Sequence, residues 1–306
     1  MDEIDKVIIN FDEGQLFLLN ICLGFLMFGV SLELSLKDFK YVLERPKPVL
    51  VGMISQLILL PLLTLLLIYL IQPAFTIQLG MLMVAACPGG NISNYMVHRS
   101  EGNTALSITM TSIVTLTAVV VTPFSFYLWT QILDAPPDFD RPISVDFFAM
   151  VKIIIQLIIV PLILGLVINQ RAPKFRALII KPVKIFSIVL LLGIIAFALA
   201  GNQEIIKHHL SAVFLIVLLH NGLAYVLGYY FARINRLPEK DVRAISMETG
   251  IQNSGLGLIL IFNYFYGLGG MAVLAAWWGV WDIISGFLLS SYWSYRKVDE
   301  TLEIQG

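Results

Sequence analysis

The sequence predicts an all-α membrane protein of nine transmembrane helices, organised as one domain over residues 1–306. Three observations carry that expectation. Hydrophobic residues make up 58% of the chain and charged residues 13%, about half the charged share of an ordinary soluble domain, so most of the surface must face lipid. The apolar runs 57–71, 153–168 and 185–200 are continuous, whereas barrel strands would alternate polar and apolar residues over about ten positions. The cations also segregate. Of the 20 Lys and Arg residues, an N-terminus-outside arrangement leaves Lys6, Arg141 and Lys207 outside and Lys152 near a membrane end. The other sixteen, from Lys37 and Lys40 through Arg243 to Arg296 and Lys297, fall in inside segments, as cytoplasmic loops require.

In chain order the spans are expected at roughly 15–35, 47–71, 75–99, 103–131, 144–169, 180–200, 209–233, 240–266 and 270–295. The first follows an acidic start, Met1–Asp5, unlike the cationic beginning of a cleavable leader. The second carries Gln56. The third is interrupted by Cys87-Pro88-Gly89-Gly90, where proline lacks a donor and two glycines free the backbone, followed by Asn91, Ser93 and Asn94. The fourth concentrates Ser107, Thr109, Thr111, Ser112, Thr115 and Thr117 within eleven positions. Ser107 and Thr111, four apart, share a helix face; as an isolated pair they would turn back to their own preceding carbonyls. Lys152 opens the fifth span, and the sixth is unbroken. His220 and Asn221 lie in the seventh. The eighth contains Glu248-Thr249-Gly250-Ile251-Gln252-Asn253-Ser254, a polar, glycine-broken stretch with a carboxylate. The ninth carries Trp277-Trp278-Gly279-Val280-Trp281-Asp282.

Layout repeats weakly. A span with Gln56 precedes one broken span, and a span with His220-Asn221 precedes the other. An odd number of spans separates them, so the copies run in opposite directions, the inverted repeat of secondary transporters. A closer letter match, Gln56–Pro61 with Gln156–Pro161, is set aside because no broken span follows the second copy.

A charge at membrane depth costs several kcal/mol, and exposed backbone there costs more. A polar break therefore implies a cavity or a held ion. An opened helix offers free carbonyls from one half and free amides from the other. One Pro-Gly-Gly break by itself is equally a packed kink; the acidic second break shifts the reading to a site, and hence to a transporter. Glu248 has Arg243 as its nearest cation in sequence, toward the cytoplasmic end. It is expected to hold an alkali cation or to act in proton coupling, and the oxygen-only surroundings suit a hard ion such as Na⁺. A lone buried His220 is more often a hydrogen-bonded core residue than a ligand. Asp282 is a site candidate because of its depth, although the tryptophans beside it also suit an interfacial anchor. Cys22 and Cys87 share no spacing with each other or with a histidine cluster, which disfavours a disulfide framework or zinc site. No basic tract suggests nucleic acid.

Cys87-Pro88-Gly89-Gly90-x-x-Ser93-Asn94, Gly102-Asn103-x-Ala105-Leu106-Ser107, His220-Asn221-Gly222 and Glu248-x-Gly250-x-Gln252-Asn253-Ser254-Gly255 together resemble the bile acid:sodium symporter family, over about residues 20 to 295. The resemblance implies a nine-helix, bacterial-type member in the inner membrane. It also implies a core domain (about 47–131 and 209–295) built on two crossing discontinuous helices, a panel domain (about 15–35 and 144–200), and alternating access. Two Na⁺ sites follow by motif: one at Ser93, Asn94, Ser107, Thr111 and Glu248, the other at Gln56, Glu248, Gln252 and the carbonyls near Thr249 and Ile251. The substrate, an organic acid or sterol-type anion, is expected near Asn91, Asn253, Asp282, His220 and Asn221. Bacterial relatives carry His-Asn where this chain has Asp282-Ile283, which points to a neutral or zwitterionic cargo or a titrating carboxyl. Alternatives are a proton-coupled member, a metalloid exporter using Cys87, or, from another class, a membrane-embedded enzyme, for which Cys87 has no evident base.

Overall fold

The computed structural model describes residues 3–9, 13–32, 44–90, 92–137, 139, 147–200 and 203–296. They form helices throughout. The only strand-like pairings among them are two isolated bridges, Ile8 with Leu268 and Gly89 with Gln252. In chain order the helices are α1 (Glu3–Lys6), α2 (Glu13–Ser31), α3 (Pro46–Ile71), α4 (Phe75–Ala86), α5 (Ile92–Arg99), α6 (Thr104–Thr130), α7 (147–171), α8 (Pro173–Ala200), α9 (Gln203–Ile234), α10 (Glu239–Gly250), α11 (Ser254–Tyr264) and α12 (Gly269–Ser294). Among the described residues, four unbroken segments are long and apolar enough to cross a bilayer: Pro46–Ile71, Thr104–Thr130, Val213–Ile234 and Gly269–Ser294. Asn91 and the loop cations Lys37, Lys40, Arg141 and Lys297 lie outside the described residues.

The helices have the local chemistry their ends require. Pro46 and Pro48 open α3, where a missing amide costs nothing. The side-chain oxygens of Asn103 and Asn253 cap α6 and α11 by accepting from the amides of Leu106 and Leu256 at 3.1 and 3.0 Å. Acidic Glu239 and Asp241 sit in the first turn of α10, and basic His98 and Arg99 in the last turn of α5, each complementing the helix dipole.

Polarity is arranged inside out. Along α3, Leu50, Ile54, Ile58, Leu62, Leu66 and Leu70 recur every four residues and are all exposed, while Ser55, Gln56 and Thr64 are buried on the opposite side. A water-soluble helix would reverse that pattern; lipid outside and a polar interior account for it. The apolar core lies where α4, α11 and α12 meet, around Leu79, Met83, Leu256, Ile259, Leu274 and Trp278.

Two wide turns recur. Ser55–Leu59 in α3 and Ile155–Ile159 in α7 are π-helical, with Leu60 N–H donating to Ser55 O and Val160 N–H to Ile155 O. In each, a proline follows, Pro61 or Pro161, whose ring lacks an amide and would crowd the preceding turn; a widened turn is the known accommodation. The letter match between Gln56–Pro61 and Gln156–Pro161, set aside as a sign of the repeat, therefore marks one shared local structure. The environments differ: Gln56 is buried and Gln156 exposed.

The N-terminal segment is bolted to the bundle. Ile9 N–H donates to Gly267 O at 2.8 Å and Gly269 N–H to Val7 O at 2.9 Å. Buried Asp5 accepts from the amide and hydroxyl of Thr76 at 2.8 and 2.7 Å, so it caps the start of α4 from 71 residues away. In the N-terminal half of α10, buried Arg243 donates to the carbonyls of Ser100, Trp293 and Arg296 at 2.7, 3.2 and 2.8 Å, gathering two helix C-termini.

Candidate functional site: two broken helices and a buried carboxylate

Both predicted interruptions are present and they touch. Helix α4 ends at Ala86 and α5 begins at Ile92; α10 ends at Gly250 and α11 begins at Ser254. Between the breaks, Asn253 N–H donates to Pro88 O at 2.8 Å and Gly90 N–H to Ile251 O at 3.1 Å. Each strand of the crossing thus satisfies backbone groups that its own helix has released. Glycine is needed for this approach. A Cβ on Gly90 would lie 2.9 Å from Gln252 O, and one on Gly89 would lie 2.9 Å from Gln56 Nε2 and 3.0 Å from Glu248 Oε2.

Glu248, in the last turn of α10, is fully buried. It accepts from Ser107 Oγ at 2.5 Å, from Thr111 Oγ1 at 3.0 Å, and from Ser93 Oγ at shorter range. Asn94 Oδ1 lies 2.7 Å from Ser107 Oγ and 3.3 Å from Thr111 Oγ1, and Thr111 also reaches Ser107 O at 3.0 Å. Three hydroxyls therefore make six close oxygen contacts with three protons to share. One proton per hydroxyl can serve at most three of these contacts as straight hydrogen bonds. Surplus lone pairs around an acidic side chain attract a cation, and among the described residues no Lys or Arg forms an ion pair with Glu248. Both readings of Ser107 and Thr111 hold in part, since Thr111 touches its own preceding carbonyl and the carboxylate.

The second predicted group adjoins the first. Gln252 folds its amide back over α10, with Nε2 donating to Thr249 O at 2.9 Å and to Glu248 O at 3.3 Å. Gln56 Nε2 stands 3.5 Å from Gln252 Oε1, while Gln56 Oε1 is buried without a hydrogen-bond partner. An orphaned buried oxygen costs about 1–3 kcal/mol, and a cation is one way to satisfy it. Carbonyls of Thr249 and Ile251 each keep a second lone pair beyond the bond they accept. The donor set is all oxygen, which fits Na⁺ and not a soft metal. Among the described residues, no three His, Cys, Asp or Glu side chains converge.

The proposed substrate residues separate. Asn253 stays at the crossing, with Nδ2 4.0 Å from Met27 Sδ on α2. Asn221 Nδ2 donates to Gly250 O and to Asp282 Oδ1, both at 2.9 Å, and Asp282 Oδ2 accepts from Gln252 N–H at 3.0 Å. His220 points elsewhere: its Nε2 lies 2.8 Å from Thr64 Oγ1, and its ring packs edge-on against Trp278 with centroids 4.8 Å apart. Sequence reasoning missed Ser55, which meets Thr249 Oγ1 at 2.8 Å, Thr64, and Tyr225, which packs against Gly250 and pairs with Ser285 at 3.2 Å. Pro61 was the readable signal for Ser55, because the π turn that precedes it turns Ser55 and Gln56 to the crossing.

Residues 20–209 match the family model described as "Sodium Bile acid symporter family". That match ends before the second break; similarity to individual relatives covers 81–91% of the chain. The "Uncharacterized sodium-dependent transporter YocS" of Bacillus subtilis (strain 168) is 34% identical over 278 residues, 91% of this chain and 83% of that protein. The "Probable sodium/metabolite cotransporter BASS2, chloroplastic" of Oryza sativa subsp. japonica is 30% identical over 81% of this chain, and the BASS1 counterpart of Arabidopsis thaliana is 30% identical over 90%. The chain spans 57% and 66% of those two plant proteins.

Proposed function

Because the chain belongs to the sodium bile acid symporter family, whose members are sodium-dependent transporters and not enzymes, we infer that it is a symporter that uses Na⁺ to drive a small organic solute across the membrane by alternating access. One observation carries this reading: the oxygen nest around Glu248, with more close oxygen contacts than hydroxyl protons and, among the described residues, no Lys or Arg paired with the carboxylate. Two ions are proposed. One sits among Ser93, Asn94, Ser107, Thr111 and Glu248, and the other takes up the orphaned Gln56 Oε1 beside Glu248, Gln252 and the carbonyls of Thr249 and Ile251. Nine spans with the N-terminus outside, in a bacterial inner membrane, make up the proposed arrangement. In it, the two broken helices form the centre of an inverted repeat, and a core of α3–α6 and α9–α12 moves against a panel of α2, α7 and α8.

Glu248 links ion to cargo in this scheme. With sodium present its charge is offset and the crossing is ordered, which sets Asn253 and the adjacent helix start in place for the solute. Each tenfold Na⁺ gradient supplies about 1.4 kcal/mol per ion, and each net charge moved across 100 mV supplies about 2.3 kcal/mol. Two ions moved with one net charge therefore supply about 5 kcal/mol, enough to concentrate a solute several thousandfold. Melting of the purified protein in NaCl against KCl tests the reading: sodium raises the midpoint of the parent and leaves Glu248→Gln unchanged. Equal midpoints for the parent in the two salts would reject sodium coupling.

A further inference from the structure

Between the outer faces of α9 and α12 runs a groove of about 250 Å³, to which α9 contributes Tyr225, Val226 and Tyr230 and α12 contributes Leu289, Tyr292 and Arg296. Val226, Tyr230 and Tyr292 are exposed, on the two helix segments Val213–Ile234 and Gly269–Ser294 that are apolar enough to cross a bilayer. The groove therefore opens toward lipid. Tyr229 and Trp293 also line it, stacked across the two helices with ring centroids 5.9 Å apart and planes 25° from parallel. Its innermost ring, Tyr225, is the one that packs against Gly250 at the crossing.

Arginines gather at the end of the groove where α9 and α12 both stop, and each stands over one of its rings. The guanidinium carbon of Arg296 lies 4.8 Å from the Tyr292 ring centroid, that of Arg233 5.6 Å from Tyr229, and that of Arg243 5.7 Å from Trp293. Among the described residues, the one carboxylate that pairs with any of these three cations is Glu239, at 3.7 Å from Arg233 and 3.2 Å from Arg243; it also accepts from the Tyr229 hydroxyl at 3.5 Å. Buried Arg243 spends its remaining donors on the carbonyls of Ser100, Trp293 and Arg296. Three cations against one carboxylate leave the mouth of the groove positive, and exposed Arg296 is the cation in its wall.

We propose that this groove is a binding site for an anionic phospholipid, with one acyl chain laid along Val226 and Leu289 and the phosphate taken by Arg296. The combination selects that occupant. A soluble anion has no use for an apolar wall that faces hydrocarbon, and a neutral lipid has no use for the surplus of arginine. Tyr and Trp suit the depth at which lipid headgroups begin, a guanidinium matches a phosphate with two parallel hydrogen bonds, and basic pockets between membrane helices are a recurring way to hold anionic headgroups. The proposal needs α9 and α12 to face lipid and does not depend on sodium coupling, so the failure of either reading leaves the other standing.

Native mass spectrometry of the purified full chain, titrated with phosphatidylglycerol or with phosphatidylcholine of the same acyl chains, tests it. Phosphatidylglycerol is expected to bind the parent about fivefold or more tightly than phosphatidylcholine. Arg296→Gln should weaken phosphatidylglycerol by about fivefold, the roughly 1 kcal/mol that one cation near a membrane surface contributes. Val226→Trp fills the groove without altering a charge and should remove the tight site; both substitutions are at exposed positions, which keeps the fold out of the comparison. Arg171→Gln, at the end of α7 and outside the groove, should bind as the parent does. Equal affinity of the parent for the two lipids, an equal loss from Arg171→Gln, or parent-like binding by Val226→Trp would overturn the proposal. So would displacement of the lipid by millimolar inorganic phosphate, since that would make the site one for a free anion and leave the groove without a part.

Discussion

The two helix breaks meet at one point but are made from opposite materials. The first, Cys87–Gly90, contributes space and backbone: two residues without side chains, a proline carbonyl given to Asn253 and an amide given to Ile251. The second contributes charge and side-chain oxygen, with Glu248 before it, Gln252 within it and Asp282 fastened to its amide. One break is the socket and the other the plug, since the volume a side chain at Gly89 would fill is where Gln56 and Glu248 already lie. The difference teaches that a polar site at membrane depth needs an uncharged partner as empty as it is close-fitting.

Exchanging these properties has graded consequences. Glu248→Gln keeps the shape of the plug and removes its charge, so the rise in melting midpoint on replacing K⁺ by Na⁺ should vanish. A retained sodium shift would mean that the charge of the second break is not what holds the ion. Gly90→Ala attacks the socket, where the obstacle is the backbone carbonyl of Gln252 and not a side chain that can rotate away. Expected losses are about 1–3 kcal/mol, the usual range for an overpacked position, together with most transport. Wild-type melting in that variant would contradict the close approach.

Gln56→Leu is gentler. It removes the orphaned oxygen while filling the volume, so sodium affinity should fall, by roughly tenfold for a lost ligand worth about 1.4 kcal/mol; stability in potassium should hold or rise. A titration of the melting midpoint with Na⁺ separates the two effects. Smaller still is the contrast of the two asparagine caps. Asn103→Ala and Asn253→Ala should each cost about 1 kcal/mol, yet only the second should also weaken uptake, because only Asn253 stands at the crossing. The least effect is expected from Cys87→Ala, a buried thiol in the socket with Gly257 near it. Unchanged sodium response and uptake would confirm that the first break works without its sulfur; lost activity with no sodium requirement would favour a thiol-dependent exporter instead.

Both breaks were legible in the sequence because they violate the rule of the surrounding chain: Pro-Gly-Gly cannot continue a helix, and Glu248 through Ser254 cannot be left in lipid. The oxygen-donor types could be read for the same reason. What stayed hidden depends on partners distant in sequence. Asp5 capping α4, Thr64 orienting His220, and Asp282 reaching Gln252 are side-chain contacts between separate helices, and no periodicity announces them. His220 was expected among the substrate residues, yet its hydrogen bond is to Thr64, in line with the plainer reading of a core histidine. The paired π turns show a third case, in which similar local letters, Gln-Leu-Ile with a proline three positions on, fix the same local backbone, while burial of Gln56 and exposure of Gln156 are decided by the rest of the bundle.

The bolt formed by residues 3–9 has a mechanical consequence. It links the first turn of α4 to the turn between α11 and α12 through Asp5, Val7 and Ile9, so these two rods cannot part at that end unless three separate attachments let go or the leading peptide travels with one of them. Tags fused upstream of Ile4 pull directly on that fastening, which makes the placement of a purification handle a variable of turnover and not only of yield.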